Sequence, residues 1–245
     1  MGEVIAVLSG KGGTGKTTLC AALAAGLAAQ ENRVLCIDLD MGLRNLDIAL
    51  GMANEAVISF TDVLHGRYFL QDATPHPDMP NLFLLTAPLR EEDLTDSEDF
   101  GRLIAKAKDF YDYCLIDAPA GISEGFQMAS RYAGRVIVVA TPDPASLRDA
   151  TRVADLLSIQ RKEDVHLVVN RIRPDFFSKT ELTVDDIMDS TGLPLLGLIP
   201  EDPNVPLSAF RGKPLIFTGK KGAAEACRRI TRRLCGSIVP LMKLK

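Results

Sequence analysis

The residues best suited to chemistry are concentrated in one stretch, Ser9-Gly10-Lys11-Gly12-Gly13-Thr14-Gly15-Lys16-Thr17-Thr18. Gly10, four intervening residues, then Gly15, Lys16 and Thr17 give the spacing of a phosphate-binding loop. Glycines at Gly10, Gly12, Gly13 and Gly15 let successive backbone N–H groups converge on phosphate oxygens with no side chain in the way, and Thr14 and Thr18 complete the nucleotide-binding stretch. Lys16 is expected to reach the β and γ phosphates of ATP, and the Thr17 hydroxyl to complete the coordination of Mg2+. The surroundings agree: apolar Val4 to Leu8 precedes the loop and Leu19 to Ala25 follows it. A buried strand turns here into a helix whose positive end faces the same anion.

Aspartates stand where other apolar runs end. Val34 to Asp38, followed by Leu39 and Asp40, reads as a second buried strand, and in an open parallel sheet ligands gather beyond the carboxyl ends of the strands. Asp40 is the candidate for positioning the attacking water, and Asp38 for supporting the magnesium shell. Tyr113 to Asp117 is another such run. Asp117 is expected to hold magnesium through a coordinated water, as a Walker B aspartate does, with Pro119 and Gly121 shaping a loop that responds to the γ phosphate. An aspartate at a strand end also serves simply to end the strand or to cap the next helix. Asn170, after Val165 to Val169, has an amide that donates and accepts at once, which suits an adenine edge; an isolated Asn there otherwise forms a turn.

A second lysine, Lys11, sits early in the loop, where an ordinary phosphate-binding loop has no need of a cation. Its neighbours Gly12 and Gly13 let another backbone approach closely. With this lysine the loop resembles the deviant P-loop of the MinD/ParA family of ATPases. The resemblance covers nearly the whole chain, through Gly42-Leu43-Arg44-Asn45-Leu46-Asp47, Phe60-Thr61-Asp62-Val63-Leu64, Gly66-Arg67 and Arg171-Ile172-Arg173-Pro174-Asp175. It implies a sandwich homodimer that forms on ATP and is reset by hydrolysis to ADP, slowly without an activator. In that dimer Lys11 crosses to the partner's phosphates, as an arginine finger does in trans. The resemblance also implies that Asn170, paired with Arg171, contacts the base, that Pro200 and Asp202 flank it, and that residues 41–47 sense the nucleotide and form part of the dimer face. The branch it resembles most places the division septum through a MinC-like inhibitor and a MinE-like activator. Two relatives with the same core give competing readings: a ParA-type partition ATPase binding DNA through the Arg228 to Arg233 face, and a flagellar-number regulator. The absence of any CxxC disfavours the related iron–sulfur carriers.

The elements that must hold these residues are legible as alternation. Apolar runs at Asn81 to Thr86, Val136 to Thr141 and Leu195 to Pro200 alternate with helical segments at 93–108, 144–160, 184–190 and 223–235. The chain thus reads as one α/β P-loop domain over residues 1–236, a mostly parallel sheet with helices on both faces, followed by a short tail, 237–245. Thr74 to Pro80 reads as a proline-broken loop with His76 on the surface. Among the 245 residues, 47% are hydrophobic, ample for one large core, yet no run of about eighteen uncharged apolar residues suggests a membrane span. A strand at the very start leaves no room for a signal peptide, and five cysteines without CxxC fit small core residues, so the expected place is a reducing cytoplasm. Charge is uneven: residues 211–245 hold ten Lys or Arg against Glu225 alone, although the whole chain carries −4. Such a basic end suits anionic lipid or an acidic partner, and peripheral attachment at the inner face of the cell membrane is a further expectation. The tail itself, with Pro240 and only Lys243 and Lys245 near its end, lacks the amphipathic anchor helix that the resemblance implies. Over Ala223 to Cys235, arginines at 228, 229, 232 and 233 are expected to form a solvated face opposite Cys227, Ile230 and Leu234.

Overall fold

Alternation along the central strands divides the core into two layers. In β1 (Glu3–Leu8), Val4, Ala6 and Leu8 enter the apolar cluster on one side of the sheet, and Ile5 and Val7 the cluster on the other. β2 (Val34–Asp38) divides in the same way, Leu35 and Ile37 against Val34 and Cys36. Burial on both faces is why these strands read as unbroken apolar runs. A computed structural model describes residues 1–41, 44–88 and 97–242.

The remaining strands are β3 (Thr74–His76), β4 (Met79–Leu85), β5 (Tyr113–Asp117), β6 (Arg135–Ala140), β7 (Asp164–Ile172) and β8 (Leu195–Pro200). They form one sheet in the order β3-β4-β2-β5-β1-β6-β7-β8, parallel throughout except for the β3–β4 pair. From β1 the chain moves outward on one side to β2, then returns through β5 and continues on the other side from β6. The crevice beyond the carboxyl ends of β5, β1 and β6 is therefore the switch point at which such sheets bind ligands. Register brings the acidic ends together: Asp117 lies level with Val7 of β1 and with Asp38 of β2.

The helices are α1 (Lys16–Ala28), α2 (Leu46–Leu50), α3 (Phe60–Leu64), α4 (Ser97–Phe110), α5 (Glu124–Tyr132), α6 (Pro144–Ile159), α7 (Phe176–Thr180), α8 (Val184–Thr191), α9 (Asn204–Phe210) and α10 (Gly222–Leu234). Helices α4, α5, α6 and α8 cover the Leu8 side, with Phe100, Phe126, Val153 and Ile187 fully buried there. On the Val7 side α1 is wedged between the sheet and α10, and its alanines permit that close approach. At Gly26 a Cβ would come within 2.6 Å of the Thr231 hydroxyl of α10.

Two expectations are corrected. Thr74–His76 is a strand, not a loop: it pairs antiparallel at the sheet edge, where Pro75 forfeits no ladder bond that a central strand would need. His76 is buried, its Nε2 2.8 Å from the Leu50 carbonyl and its Nδ1 accepting from the Asp78 amide at 3.1 Å, so both ring nitrogens are satisfied by backbone. The arginine face of α10 is also less solvated than expected. Arg228 donates to the carbonyls of Ile216 and Gly219, Arg229 to Glu225 and the Pro240 carbonyl, and Arg233 to the carbonyls of Leu196 and Val239. These guanidinium forks strap residues 239–240 of the tail to the helix, and Arg232 is the exposed member of the set. The first residues of the helix expected from 93 (93–96), together with Gly42, Leu43, Lys243 and Lys245, lie outside the described residues. No described helix is long and apolar enough to cross a membrane.

Candidate nucleotide-binding site

The loop between β1 and α1 has the conformation that its glycines allow. Gly15 sits at φ +87° directly before α1, and no side chain caps that helix, so its first N–H groups are left to a ligand. Space demands glycine as well, because a Cβ at Gly15 would lie 2.2 Å from Asn170 Nδ2. Gly10 packs against α6, where a Cβ would meet Asp149 Cβ at 2.6 Å and the Asp149 carbonyl oxygen at 2.8 Å. Gly10→Ala is therefore expected to cost about 1–3 kcal/mol of stability by overpacking and to weaken nucleotide binding, checked by urea unfolding beside nucleotide titration.

Inside the crevice Lys16, 6% exposed, donates to Asp117 Oδ1 at 2.9 Å, and Asp117 is fully buried. Burial pushes the Asp117 carboxyl up from the usual carboxylate range, opposed by the Lys16 charge and by hydrogen bonds from Thr17 and Lys16. Its second oxygen, Oδ2, and the Thr14 hydroxyl are buried without a hydrogen-bond partner. Orphaned buried polar atoms beside a lysine and a threonine fit a hydrated Mg2+ and nucleotide phosphates. Among the described residues no cluster of three or more His, Cys, Asp or Glu could hold a metal.

Asp38 does something that the strand-end reading did not foresee. Its Oδ1 accepts from the Asp40 amide at 2.8 Å and its Oδ2 from the Leu46 amide at 3.2 Å, so one carboxylate frames the loop that carries Asp40. Burial, with the neighbouring charge of Asp117, pushes Asp38 up to about 7 in spite of those two bonds. The Asp40 side chain is half-buried, and its charge adds to the upward push on both Asp38 and Asp117.

Lys11 points elsewhere. Its Nζ lies 2.9 and 3.2 Å from the two oxygens of Asp143, the residue that caps α6 by accepting from the Ser146 amide. Thr141 donates to the same carboxylate at 2.6 Å. Burial would raise the pKa of Asp143, but the bonds from Thr141, Lys11 and Ser146 outweigh it and bring the group down to about 2. Asp143 and Thr141 were not among the sequence candidates; Asp143-Pro144 is legible as a helix start, but not as a partner of the loop.

The β7–β8 side of the crevice divides the remaining candidates. Asn170 Nδ2 donates to the Thr14 carbonyl at 2.7 Å, tying β7 to the loop, and Arg171 donates to the Gly13 carbonyl at 3.3 Å. Pro200 and Asp202 line, with Asn170, Leu215 and Cys227, a cavity of about 560 Å³ beside Gly15 and Thr18. Asp202 is also a structural anchor: its Oδ2 accepts from the Ala223 amide at 2.9 Å at the start of α10, and its Oδ1 from the Asn204 amide. Glu201, absent from the candidates, is bridged by Arg171 at 3.2 Å and Arg173 at 3.1 Å, and no local sequence signal marks it.

A parallel sheet switch point, a glycine-built loop opening an uncapped helix, and a buried Lys–Asp pair beside orphaned acceptors define a P-loop nucleotide-binding domain. The chain belongs to the family described as the CobQ/CobB/MinD/ParA nucleotide binding domain, which matches residues 5–215. Within it the chain is 39% identical over 246 residues to the septum site-determining protein MinD of Synechocystis, covering 99% of this chain and 92% of that one. The fold superposes with a TM-score of 0.92 on a MinC:MinD cell division protein complex from Aquifex aeolicus, at 38% identity and 99% coverage of both chains. It also matches the septum site-determining protein MinD of Pyrococcus horikoshii complexed with Mg-ADP, with a TM-score of 0.82 at 29% identity over 96% of each chain. These relatives support nucleotide and Mg2+ binding at the site.

Proposed function

We propose that this chain is a MinD-like ATP hydrolase that pairs face to face with a second copy on binding Mg·ATP and is reset by hydrolysis to ADP. The observation that carries this reading is the divergence of two lysines from one loop. Lys16 is turned inward to Asp117 at its own phosphate site, while Lys11 is turned outward to Asp143 on an open rim that it shares with Arg171, Arg173 and Phe176. A cation directed away from its own site is available to a partner's.

The chain's residues then divide the work. Lys16 exchanges the Asp117 carboxylate for the phosphates, which releases Asp117 to face the metal's water shell, and the Thr17 hydroxyl offers its oxygen to the ion. Mg2+, when held there by Thr17 and Asp117, would supply positive charge against the phosphates. Asp38 holds the Asp40 amide, and Asp40 orients the attacking water and takes its proton. Lys11 from the second copy neutralises the charge that develops on the transferred group, and turnover waits on that arrangement. Asn170, Arg171, Pro200 and Asp202 form the base end.

By analogy with the MinC:MinD complex one partner is a MinC-like inhibitor; a MinE-like activator is the second partner that the reading requires, and the pair act in placement of the division septum from a cytoplasmic pool that meets the inner membrane surface. The partition-type reading relies on a free arginine face on α10, and intramolecular contacts of Arg228, Arg229 and Arg233 count against it. Asp40→Ala is expected to keep ATP binding while lowering phosphate release about a hundredfold or more, and to hold the chain at twice its monomer mass by light scattering. Phosphate release at the native rate removes Asp40 from the water, and monomers in saturating Mg·ATP remove the dimer.

A further inference from the structure

Near the end of β7 the backbone turns out of the sheet at one residue. Arg171 stands at φ +60°, in the left-handed region that a side chain rarely adopts, and the β7–β8 register breaks around it, between Val169 and Ile172. Turned out of the ladder, the Arg171 amide donates to Asn170 Oδ1 at 2.8 Å. That bond fixes the orientation of the Asn170 side-chain amide, leaving Nδ2 to donate to the Thr14 carbonyl at 2.7 Å. The Arg171 guanidinium reaches the preceding carbonyl, that of Gly13, at 3.3 Å and is held from behind by Glu201, just after β8, at 3.2 Å.

Two successive carbonyls of the phosphate loop are thus held from one side. In a trans peptide the C=O and the N–H point in opposite directions, and the described residues include no cis bond. Holding the Gly13 carbonyl therefore aims the Thr14 N–H away from β7, and holding the Thr14 carbonyl does the same for the Gly15 N–H. Away from β7 is toward Lys16's partner: β7 lies two strands from β1 on one side, and β5, which carries Asp117, adjoins β1 on the other. Neither N–H donates to another backbone group among the described residues. Gly13 and Gly15, at φ +78° and +87°, permit this orientation, but a peptide flanked by glycine also turns freely. What glycine permits, Asn170 and Arg171 fix.

We propose that Asn170 and Arg171 are positioning residues for the phosphate-binding loop, aiming the Thr14 and Gly15 amides at the diphosphate of the nucleotide, with Glu201 keeping Arg171 in place. This task is additional to contact with the base, and it rests on the reading of the crevice as a nucleotide site. The Asn170 side chain has the capacity for both, since one N–H and one lone pair remain after its bonds to Thr14 and Arg171. N–H groups fixed in advance bind an anion without the cost of ordering the loop on its arrival. Glu201 follows Pro200, which lines the cavity beside Gly15, so the end of β8 is tied through Arg171 to the loop itself.

The test is titration of the full chain with Mg·ADP and Mg·IDP, which differ in base and share their phosphates, joined to hydrogen exchange at the Thr14 and Gly15 amides. Arg171→Gly is the most telling variant, because glycine adopts φ +60° without strain. It should unfold at or above the native temperature and yet bind both diphosphates about tenfold more weakly. Asn170→Ala should weaken both to a similar degree, about tenfold, and since it removes no charge that loss is not one of Coulombic attraction. Glu201→Gln should weaken both by less than about fivefold, and Arg171→Lys, which keeps a donor for the Gly13 carbonyl, should fall between the native chain and Arg171→Gly. Saturating Mg·ADP should slow exchange of both amides in the native chain and do so less in Asn170→Ala and Arg171→Gly. A loss confined to Mg·ADP, with amide protection intact, would make the pair readers of the base alone and overturn the inference while the nucleotide site stands. Native affinity in Asn170→Ala and Arg171→Gly would overturn it too, as would a loss that follows a lowered unfolding temperature, the mark of a strut between β7 and the loop. If the native chain binds neither diphosphate, the nucleotide reading falls first and this inference with it.

Discussion

Lys16→Ala is expected to lower ATP affinity roughly a hundredfold, since the charge-assisted hydrogen bonds that it removes are each worth about 1.5–3 kcal/mol. The loss has a second source. Asp117 is fully buried and Lys16 is its counter-charge, so without the lysine the carboxyl, already raised by burial, is driven further toward its neutral form. A neutral Asp117 is a poor partner for a hydrated divalent ion, and Mg2+ dependence of binding should fade together with affinity. The folded state suffers less than the cost of about 3–5 kcal/mol for stranding a buried charge, because protonation relieves it. Titration with a fluorescent ATP analogue, with and without Mg2+, reads both effects, and the thermal shift given by nucleotide should vanish. Asp117→Asn separates them: it removes the ionic partner but leaves Lys16 for the phosphates, so it should abolish the Mg2+ dependence while retaining more affinity than Lys16→Ala. Affinity for Lys16→Ala within threefold of the native chain would show that the phosphates lie elsewhere.

Much of this site was readable in the residues before any fold was known, for a physical reason. Strands buried on both faces are continuous apolar runs, so the carboxylates that end them stand out, and a loop that must cradle phosphate has to be written in glycine. What could not be read is whatever depends on register or on distant pairing. That Asp38 lies level with Asp117, and so rises to about 7, follows from β2 and β5 pairing across seventy-odd residues of intervening chain. That His76 is buried follows from an edge hairpin whose three prolines, Pro75, Pro77 and Pro80, look like loop residues in one dimension. Helix α9 was hidden for the same reason, with Pro203 and Pro206 at its start, and the arginines of α10 looked solvated because their carbonyl partners lie on β8, the preceding turn and the tail. The fold class and the phosphate loop were local; the second carboxylate's role and the partner of Lys11 were not.

Lys11→Ala should leave ATP affinity within about threefold of native and yet lower turnover by about a thousandfold, the scale of a cation supplied in trans during phosphoryl transfer. The argument turns on how firmly Lys11 is held at home. Its pair with Asp143 is partly exposed on both sides, 35% and 46% of the side chains, and such a pair stabilises by about 0–1 kcal/mol. A triphosphate carries far more charge than one carboxylate, so the lysine should leave Asp143 readily once a second copy presents its nucleotide. Asp143 remains ionised at neutral pH: its depressed pKa means that the folded state's preference for the carboxylate holds above pH 4 and is lost only as pH falls through about 2. Removing this carboxylate should therefore favour the paired state slightly, by less than about fivefold, given the small worth of the pair. Asp143→Ala confounds that effect with loss of the α6 cap, at about 1 kcal/mol, whereas Asp143→Ser keeps an oxygen for the Ser146 amide and frees the lysine. Mass by light scattering across an ATP titration then separates the cases: Lys11→Ala stays monomeric at nucleotide saturation, Asp143→Ser pairs at a lower protein concentration than the native chain. If Lys11→Ala instead pairs and turns over normally, Asp143 is the lysine's permanent partner, and the loop's second cation is only a strut between β1 and α6.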